Sequence, residues 1–496
     1  MLSIGIDLGS SFIKGVIWDS EYNRSLATTT VPNQEMSIES PLQGWSEQHP
    51  DLWWELTQKV FTELFILHPE AVGRVTSVGI SYQMHGLVLL GDDFKVLRPA
   101  IIWCDSRAKG EGRTLLTHLS KKDITDKLLN EPGNFTISKL SWVIQHEPEC
   151  AKKIRWVILP GDYIAFKLTG HVSTTVTGLS EGIFWDFQGH CLHEKALNII
   201  GARTEWFPPV MDPSQPLDRS ICRIQSDLAI QLGLAPEAWV TFRAGDQPMN
   251  AYGLGVEKPG IWAASAGTSG VLYAVNDNLY ADNSRATNRF AHINHSSTEQ
   301  RIGSLCCING TGIAYSWAKK QLYQQATYDE VNLITDSVEP GSSGVHFYPF
   351  GNGSERVLEN RIVGAGWTNL DFNRHQNAHL MRAVLEGIAF SFAYAVEIMG
   401  PGFSTVSRIR TSGTGLFKSD VFIRSLSSML NTPIECVSGD GATGAARGAA
   451  RLLLHGKFDG HDDHADIPVQ TFRQIAPDKA LRDQLLESFS KWKNLL

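Results

Sequence analysis

Two stretches, residues 4–19 (IGIDLGSSFIKGVIWD) and 260–275 (GIWAASAGTSGVLYAV), share one plan: an apolar strand, a tight turn of glycine and hydroxyl residues, and a second apolar strand. One copy stands in each half of the chain, so the sequence reads as two related halves. At 496 residues the chain is too long for one compact core, and two domains with a cleft between them are expected. The duplication places their boundary near residue 250, giving domains 1–250 and 251–496.

The halves mix strands and helices. PDLWWELTQKVFTELF (50–65) carries apolar residues at helical spacing behind Pro50, which suits a first helical turn. VTSVGISYQMHGLVLL predicts a strand, a turn and a second strand, and WVTFRAGDQPMNAYGLG predicts a strand ending at Gly245-Asp246 with a glycine-punctuated passage into a helix. The apolar run NAHLMRAVLEGIAFSFAYAVEIMG reads as a long buried helix stopped at Gly400-Pro401. The fold class expected is α/β.

Each Gly-hydroxyl turn, Gly9-Ser10-Ser11 and Gly267-Thr268-Ser269, can offer backbone N–H groups and hydroxyls to phosphate oxygens, because no side chain blocks close approach. Asp7, just ahead of the first turn, can hold Mg²⁺ directly or through water. An ordinary hairpin would use the same turn residues, but two copies, one per half, favour the phosphate reading. Asp246, at a strand end near the junction of the halves, has the chemistry of a general base for a substrate hydroxyl, and equally that of a helix cap. Gln83, Met84 and His85 stand at another strand end and suit a small polyol; a histidine there is also commonly tied to backbone.

Other motifs carry less. The chain has no G-x-x-x-x-G-K-[ST], so a P-loop is excluded. Gly439-Asp-Gly-Ala-Thr-Gly444 matches G-x-G-x-x-G, but the polar FDGHDDHAD follows where a dinucleotide site needs another strand and an acid. That run is better read as a glycine-lined helix start packing near an adenosine. HINH (292–295) and GHDDH (460–464) bring no third metal ligand at standard spacing and are expected to be exposed polar loops.

A net charge of −8 and the lack of basic runs interleaved with aromatics argue against nucleic acid or an anionic membrane as partner. The seven scattered cysteines contain no Cys-x-x-Cys pair. With no secretory signal or 18-residue apolar span, they predict a reduced, cytoplasmic protein. Oligomeric state, a homodimer included, is left open by the sequence.

In order along the chain, GIDLGSSFIKG, GISYQMHG, RPAIIWCDSRA, LPGDYIAFKLTG, AGDQPMNAYGLG, SAGTSG and RAVLEG follow the plan of the FGGY carbohydrate kinases. NFTISKLSWVIQH, with Lys139 and Trp142, resembles that family's first signature. The resemblance spans residues 4 to about 453. It implies an actin-like ATPase (ribonuclease H-like) fold of two domains, ATP in the interdomain cleft, and sugar held mainly by the N-terminal domain. Carried over motif by motif, it makes Asp246 the catalytic base and Asp7 the Mg²⁺-linked acid. Gln83, Met84, His85 and Gln247 become sugar contacts. Ser10, Ser11, Gly267 and Thr268 attend the phosphates, and TSGTGLFKSD, through Gly413, Thr414 and Gly415, is the adenosine loop. The substrate implied is D-xylulose, phosphorylated on its primary hydroxyl. The polyol-binding Arg-Glu pair of the family's glycerol kinases is replaced here by Met84-His85.

Overall fold

The computed structural model describes every residue except 213–214, 216, 280–285, 297, 401–402, 404–405, 457–468 and 495. In the N-terminal half the elements that build the frame are β1 (Leu2–Leu8), β2 (Ile13–Asp19), β3 (Arg24–Val31), α1 (Pro50–Leu67), β4 (Val75–Tyr82), α2 (Pro160–Thr169), β5 (Trp239–Gly245) and α3 (Asp246–Gly253). In the C-terminal half they are β6 (Ile261–Ala266), β7 (Gly270–Asn276), β8 (Asn288–Ala291), β9 (Ile302–Ile308), α4 (Gly312–Leu322), α5 (Asn377–Met399), β10 (Arg408–Thr411), α6 (Asp420–Leu430), β11 (Ile434–Val437), α7 (Gly441–His455) and β12 (Thr471–Ile475).

The first sheet has the order β5-β4-β1-β2-β3, with β1, β2 and β3 antiparallel and β1, β4 and β5 parallel. The second has the order β8-β9-β7-β6-β10-β11-β12. Its central five strands repeat the first sheet: an antiparallel meander β6, β7, β9, then β10 and β11 added parallel on the far side of β6. The duplicated hairpins β1–β2 and β6–β7 are therefore the opening of the same five-stranded unit, used twice. A helix follows the fifth strand in each copy, α3 after β5 and α7 after β11. Helix α3 begins at Asp246 itself, with Gly245 as its N-cap, so the expected passage between strand and helix is absent.

Helix α7 does not stay with its own sheet. It lies on β1 and β4 of the N-terminal half, where Gly5 and Gly79 are register partners. A Cβ on Gly5 would sit 1.8 Å from the Ala442 carbonyl oxygen, and one on Gly79 would sit 2.0 Å from that of Ala445. Only glycine at both positions lets the helix backbone touch the sheet backbone. Gly444 approaches the Met249 carbonyl of α3 in the same way, at 2.4 Å from its would-be Cβ. The Gly439–Gly444 run is thus a packing surface. The strand after it, β12, pairs antiparallel with β11, so the parallel βαβ unit of a dinucleotide site is not built.

Helix α1 covers the opposite face of the first sheet, burying Trp53, Val60, Phe61 and Leu64. Helix α5 is the buried spine of the C-terminal half, and it ends at Gly400, whose φ of +95° only glycine adopts freely. Among the described residues no helix is long and apolar enough to cross a membrane.

Candidate active site

Because β1, β4 and β5 run parallel in register, their carboxyl ends at Leu8, Tyr82 and Gly245 lie side by side. Open α/β sheets bind ligands at that edge, where the loops leave the strands. The loops leaving here carry Gly9-Ser10-Ser11, Gln83-Met84-His85 and Asp246.

Asp7 stands one residue inside β1, between its register partners Ser81 on β4 and Lys14 on β2. Ser81 Oγ donates to Asp7 Oδ1 at 2.6 Å. From the other half comes Gly441, whose Cβ, if it had one, would lie 2.8 Å from Asp7 Oδ2. Its glycine identity keeps that oxygen open. Burial pushes the Asp7 carboxyl up to about 6, with the Asp440 carboxylate adding to the rise and Ser81 and Lys14 opposing it. Asp440 caps α7 through the Thr443 N–H (2.9 Å) and forms an ion pair with Lys14.

Asp246 opens α3. Burial pushes its carboxyl up to about 7, the neighbouring Asp7 adds to this, and hydrogen bonds from Gln247 work against it. Two half-buried carboxyl groups, of which Asp7 raises the pKa of Asp246, form a site that attracts a cation and in which one acid is poised near neutrality. Among the described residues no three His, Cys, Asp or Glu side chains form a metal cage. Mg²⁺ characteristically takes one or two carboxylates and completes its shell with water and substrate phosphates. The open Asp7 Oδ2 fits such a role.

The Gln83–Gly86 turn forms the wall beside Asp246. Gln83 is buried; its Nε2 donates to Gln48 Oε1 at 3.3 Å, while its own Oε1 has no partner among the described residues. His85 has φ of +62°, which is uncommon for a non-glycine residue and costly to hold. Three contacts fix it. His85 N–H donates to Glu181 Oε1 (3.3 Å), Nδ1 meets the Glu181 carbonyl (3.0 Å), and Lys139 Nζ donates to the His85 carbonyl (2.7 Å). A carbonyl accepts only, so Nδ1 carries the proton and Nε2 is left as an acceptor. Burial, with Lys139 assisting, holds the imidazole down at about 3, and it is neutral. Phe135 packs edge-on against the ring at 4.4 Å.

The second turn, Gly267-Thr268, is exposed and is held from below by the start of α4. Thr311 Oγ1 donates to the Gly267 carbonyl at 3.0 Å, and Gly312 N–H to the same oxygen at 2.8 Å. The 413–415 loop abuts this turn: Gly415 (φ +60°) would place a Cβ 2.2 Å from the Ala266 carbonyl, and Thr414 Oγ1 is 2.9 Å from Ser412 Oγ. At the first turn, Ser10 Oγ accepts from Trp103 Nε1 at 3.2 Å and the Ser10 carbonyl from Gln48 Nε2 at 2.7 Å. The structure therefore brings Asp7, Ser10, Ser11, Gln83, Met84, His85, Asp246 and Gln247 to one sheet edge. Gly267, Thr268, Gly413, Thr414 and Gly415 form a second group on the other sheet.

Sequence reasoning left Glu181, Lys14 and Asp440 out of the site. Lys14 lay inside the quoted GIDLGSSFIKG, and its register with Asp7 was the available signal. Glu181, in TGLSEG, offered none. The expectation of an exposed loop at HINH is corrected: His292 and His295 are buried at 0% and 3% exposure. Tyr273 Oη and His292 Nδ1 are 2.8 Å apart and Arg301 N–H donates to His295 Nδ1, so both rings serve packing. GHDDH lies outside the described residues.

Two duplicated sheets, the first with acids at its strand ends and each with a Gly-hydroxyl turn, define a two-domain fold of the kinase type. Residues 2–253 match the N-terminal domain of the FGGY family of carbohydrate kinases and residues 262–456 its C-terminal domain. The chain belongs to that family and is an ATP-using sugar kinase, transferring phosphate to an alcohol. It is 25% identical to the xylulose kinase of Bacillus subtilis over 496 residues, 99% of this chain and 96% of that one. A solved xyloylose kinase from Brucella ovis superposes with a TM-score of 0.86 at 26% identity, covering 100% of this chain and 98% of that one. The glycerol kinase of Plasmodium falciparum with ADP, at 19% identity and a TM-score of 0.87 over 99% and 97% of the two chains, shares the fold.

Proposed function

We propose that the chain phosphorylates D-xylulose on O5 with Mg·ATP, and that Asp246 is the general base. The observation that carries this reading is the position of Asp246: a half-buried carboxyl, held up to about 7, at the start of α3 beside the Met84-His85 turn. A base of that pKa is half ionised at neutral pH and matched to the task. The choice of sugar rests on relatives named xylulose kinase along nearly the whole chain and on Met84-His85, which offers a thioether and a neutral acceptor nitrogen.

D-Xylulose lies against Gln83, Met84, His85 and Gln247 with its primary hydroxyl at Asp246. Ser10, Ser11, Gly267 and Thr268 take the phosphates from the two sides, and the Gly413-Thr414-Gly415 loop takes the adenosine. Asp7 would hold Mg²⁺, which would supply charge neutralisation for the phosphates. Asp246 accepts the O5 proton as the O5–Pγ bond forms and the bond from Pγ to the β,γ-bridging oxygen breaks, releasing ADP. Enclosure between the halves excludes water, the competing acceptor. All seven cysteines are free thiols, which suits the cytoplasm as the compartment we propose. The alternative within the family is another sugar or polyol, such as glycerol or gluconate.

The test is ATP consumption with Mg²⁺ over a panel of pentuloses, polyols and aldonates. D-Xylulose should give the highest kcat/KM; a polyol or aldonate exceeding it tenfold replaces the substrate and leaves the family intact. Light scattering on the same preparation reads whether the protein is a homodimer.

A further inference from the structure

Glu181 ends the short helix Val176–Glu181 and is 1% exposed, in the wall between the His85 turn and Asp246. One carboxyl oxygen, Oε1, accepts from His85 N–H. The other, Oε2, makes no hydrogen bond with any described residue and points to Gly245: a Cβ there would lie 2.3 Å from Oε2 and 2.5 Å from Met84 Cγ. Glu181 Oε2 and Met84 thus pack directly against the backbone of Gly245, next to the first residue of α3. A carboxyl oxygen that no protein group bonds is free to bond a ligand. Gln83 Oε1, on the same turn as Met84, is a buried atom with no partner among the described residues, and proteins keep such groups where a ligand supplies the partner.

We propose that Glu181 is a specificity-determining residue that hydrogen-bonds through Oε2 to a hydroxyl of the sugar other than the one that reacts. Burial pushes its carboxyl well up, and the nearby Asp246 and Asp162 carboxylates add to the rise, against the His85 N–H and Lys139. Oε2 and the His85 Nε2 acceptor together offer two polar atoms that can read hydroxyls of a polyhydroxy chain. Lys139 Nζ is turned to the His85 and Ile102 carbonyls, at 2.7 and 3.0 Å.

The inference rests on the sugar-site reading above, and the test separates the two. Binding of D-xylulose and of its singly deoxygenated analogues is measured by calorimetry, without ATP, to the full-length wild type, Glu181→Ala, Glu181→Gln and His85→Ala, with melting temperatures for each. Glu181→Ala should weaken D-xylulose about 10- to 100-fold with ADP affinity unchanged. Glu181→Gln, of the same shape and still able to hydrogen-bond, should lie within about threefold of wild type. One deoxy analogue should bind wild type and Glu181→Ala equally, which marks the hydroxyl that Glu181 reads. If every analogue loses the same factor in both proteins, or Glu181→Ala keeps wild-type affinity while His85→Ala does not, the inference fails alone. If His85→Ala also binds as wild type, or wild type binds no D-xylulose, the sugar-site reading fails with it.

Discussion

Lys14 on β2 and Asp440 at the start of α7 form an ion pair although 426 positions separate them in the chain. The pair ties the hairpin that carries the Gly9-Ser10-Ser11 turn to the helix arriving from the other half. Asp440 has a second duty as N-cap, accepting from Thr443 N–H at 2.9 Å.

Asp440→Ala should therefore cost about 1–2 kcal/mol of stability, chiefly through the lost cap, since Asn and Asp cap about equally well. Asp440→Asn should cost under ~1 kcal/mol, because the pair is partly exposed and solvent-screened. Chemical denaturation of both variants checks the split; equal losses would mean that the charge and not the cap matters.

Gly5→Ala should be severe, at ~3 kcal/mol or more, because its Cβ would lie 1.8 Å from a backbone oxygen that cannot swing aside. Gly366→Ala, where a Cβ meets nothing within 4 Å and the backbone is ordinary, should fall within ~0.5 kcal/mol of wild type. Urea unfolding midpoints measure both.

The raised acids set a pH dependence. Asp7 and Asp246 ordinarily titrate near 3.8 but do so at about 6 and about 7 in the folded protein. The fold holds their protons, so this contribution to stability is complete below 3.8 and lost as pH rises through 6 to 7. Asp7→Asn should thus melt higher than wild type at pH 8, with the gap narrowing on acidification and closing below pH ~4. In the same variant the Asp246 carboxyl, followed by carbon NMR, should titrate below 7, since the neighbouring charge is gone. An unchanged titration would show that the two acids do not interact.

Asp246→Asn keeps shape and removes the proton acceptor. Turnover should fall ~10²–10⁴-fold, with ADP affinity and folding retained. A folded variant with near wild-type turnover would remove Asp246 from the chemistry.

The frame was legible in the sequence because it is repetitive. Two Gly-hydroxyl hairpins announced two sheets of one design, and the helical spacing of 50–65 and 377–400 announced α1 and α5. The placement of the candidate site was legible where a polar residue and a strand end coincided, as at Asp7, His85 and Asp246, which the fold brings to one sheet edge. What escaped was long-range. Glu181 reaches His85 across 96 positions, and no local pattern distinguishes it from a surface glutamate. The G-x-G-x-x-G run was ambiguous because close backbone approach has the same glycine requirement whether the visitor is a pyrophosphate or another helix. His292 and His295 looked solvated because polar neighbours surround them in sequence, whereas Tyr273 and the Arg301 amide surround them in space.

The seat of α7 on Gly5 and Gly79 also bears on what each half can do without the other. A helix carbonyl resting on a strand leaves no side chain to trim and no gap for solvent, so neither surface is finished until its counterpart arrives. The two copies of the repeated unit are mutually dependent templates: residues 1–253 alone would display a bare backbone furrow, and the remainder would carry a helix rich in alanine with nothing to lie on. A protease nick at the Lys258–Gly260 connection should accordingly yield two bands on a denaturing gel and one peak on a sizing column. Drift at positions 5 or 79 is admissible only together with a change in the path of the helix at 442 or 445, which binds the inheritance of the two halves into one.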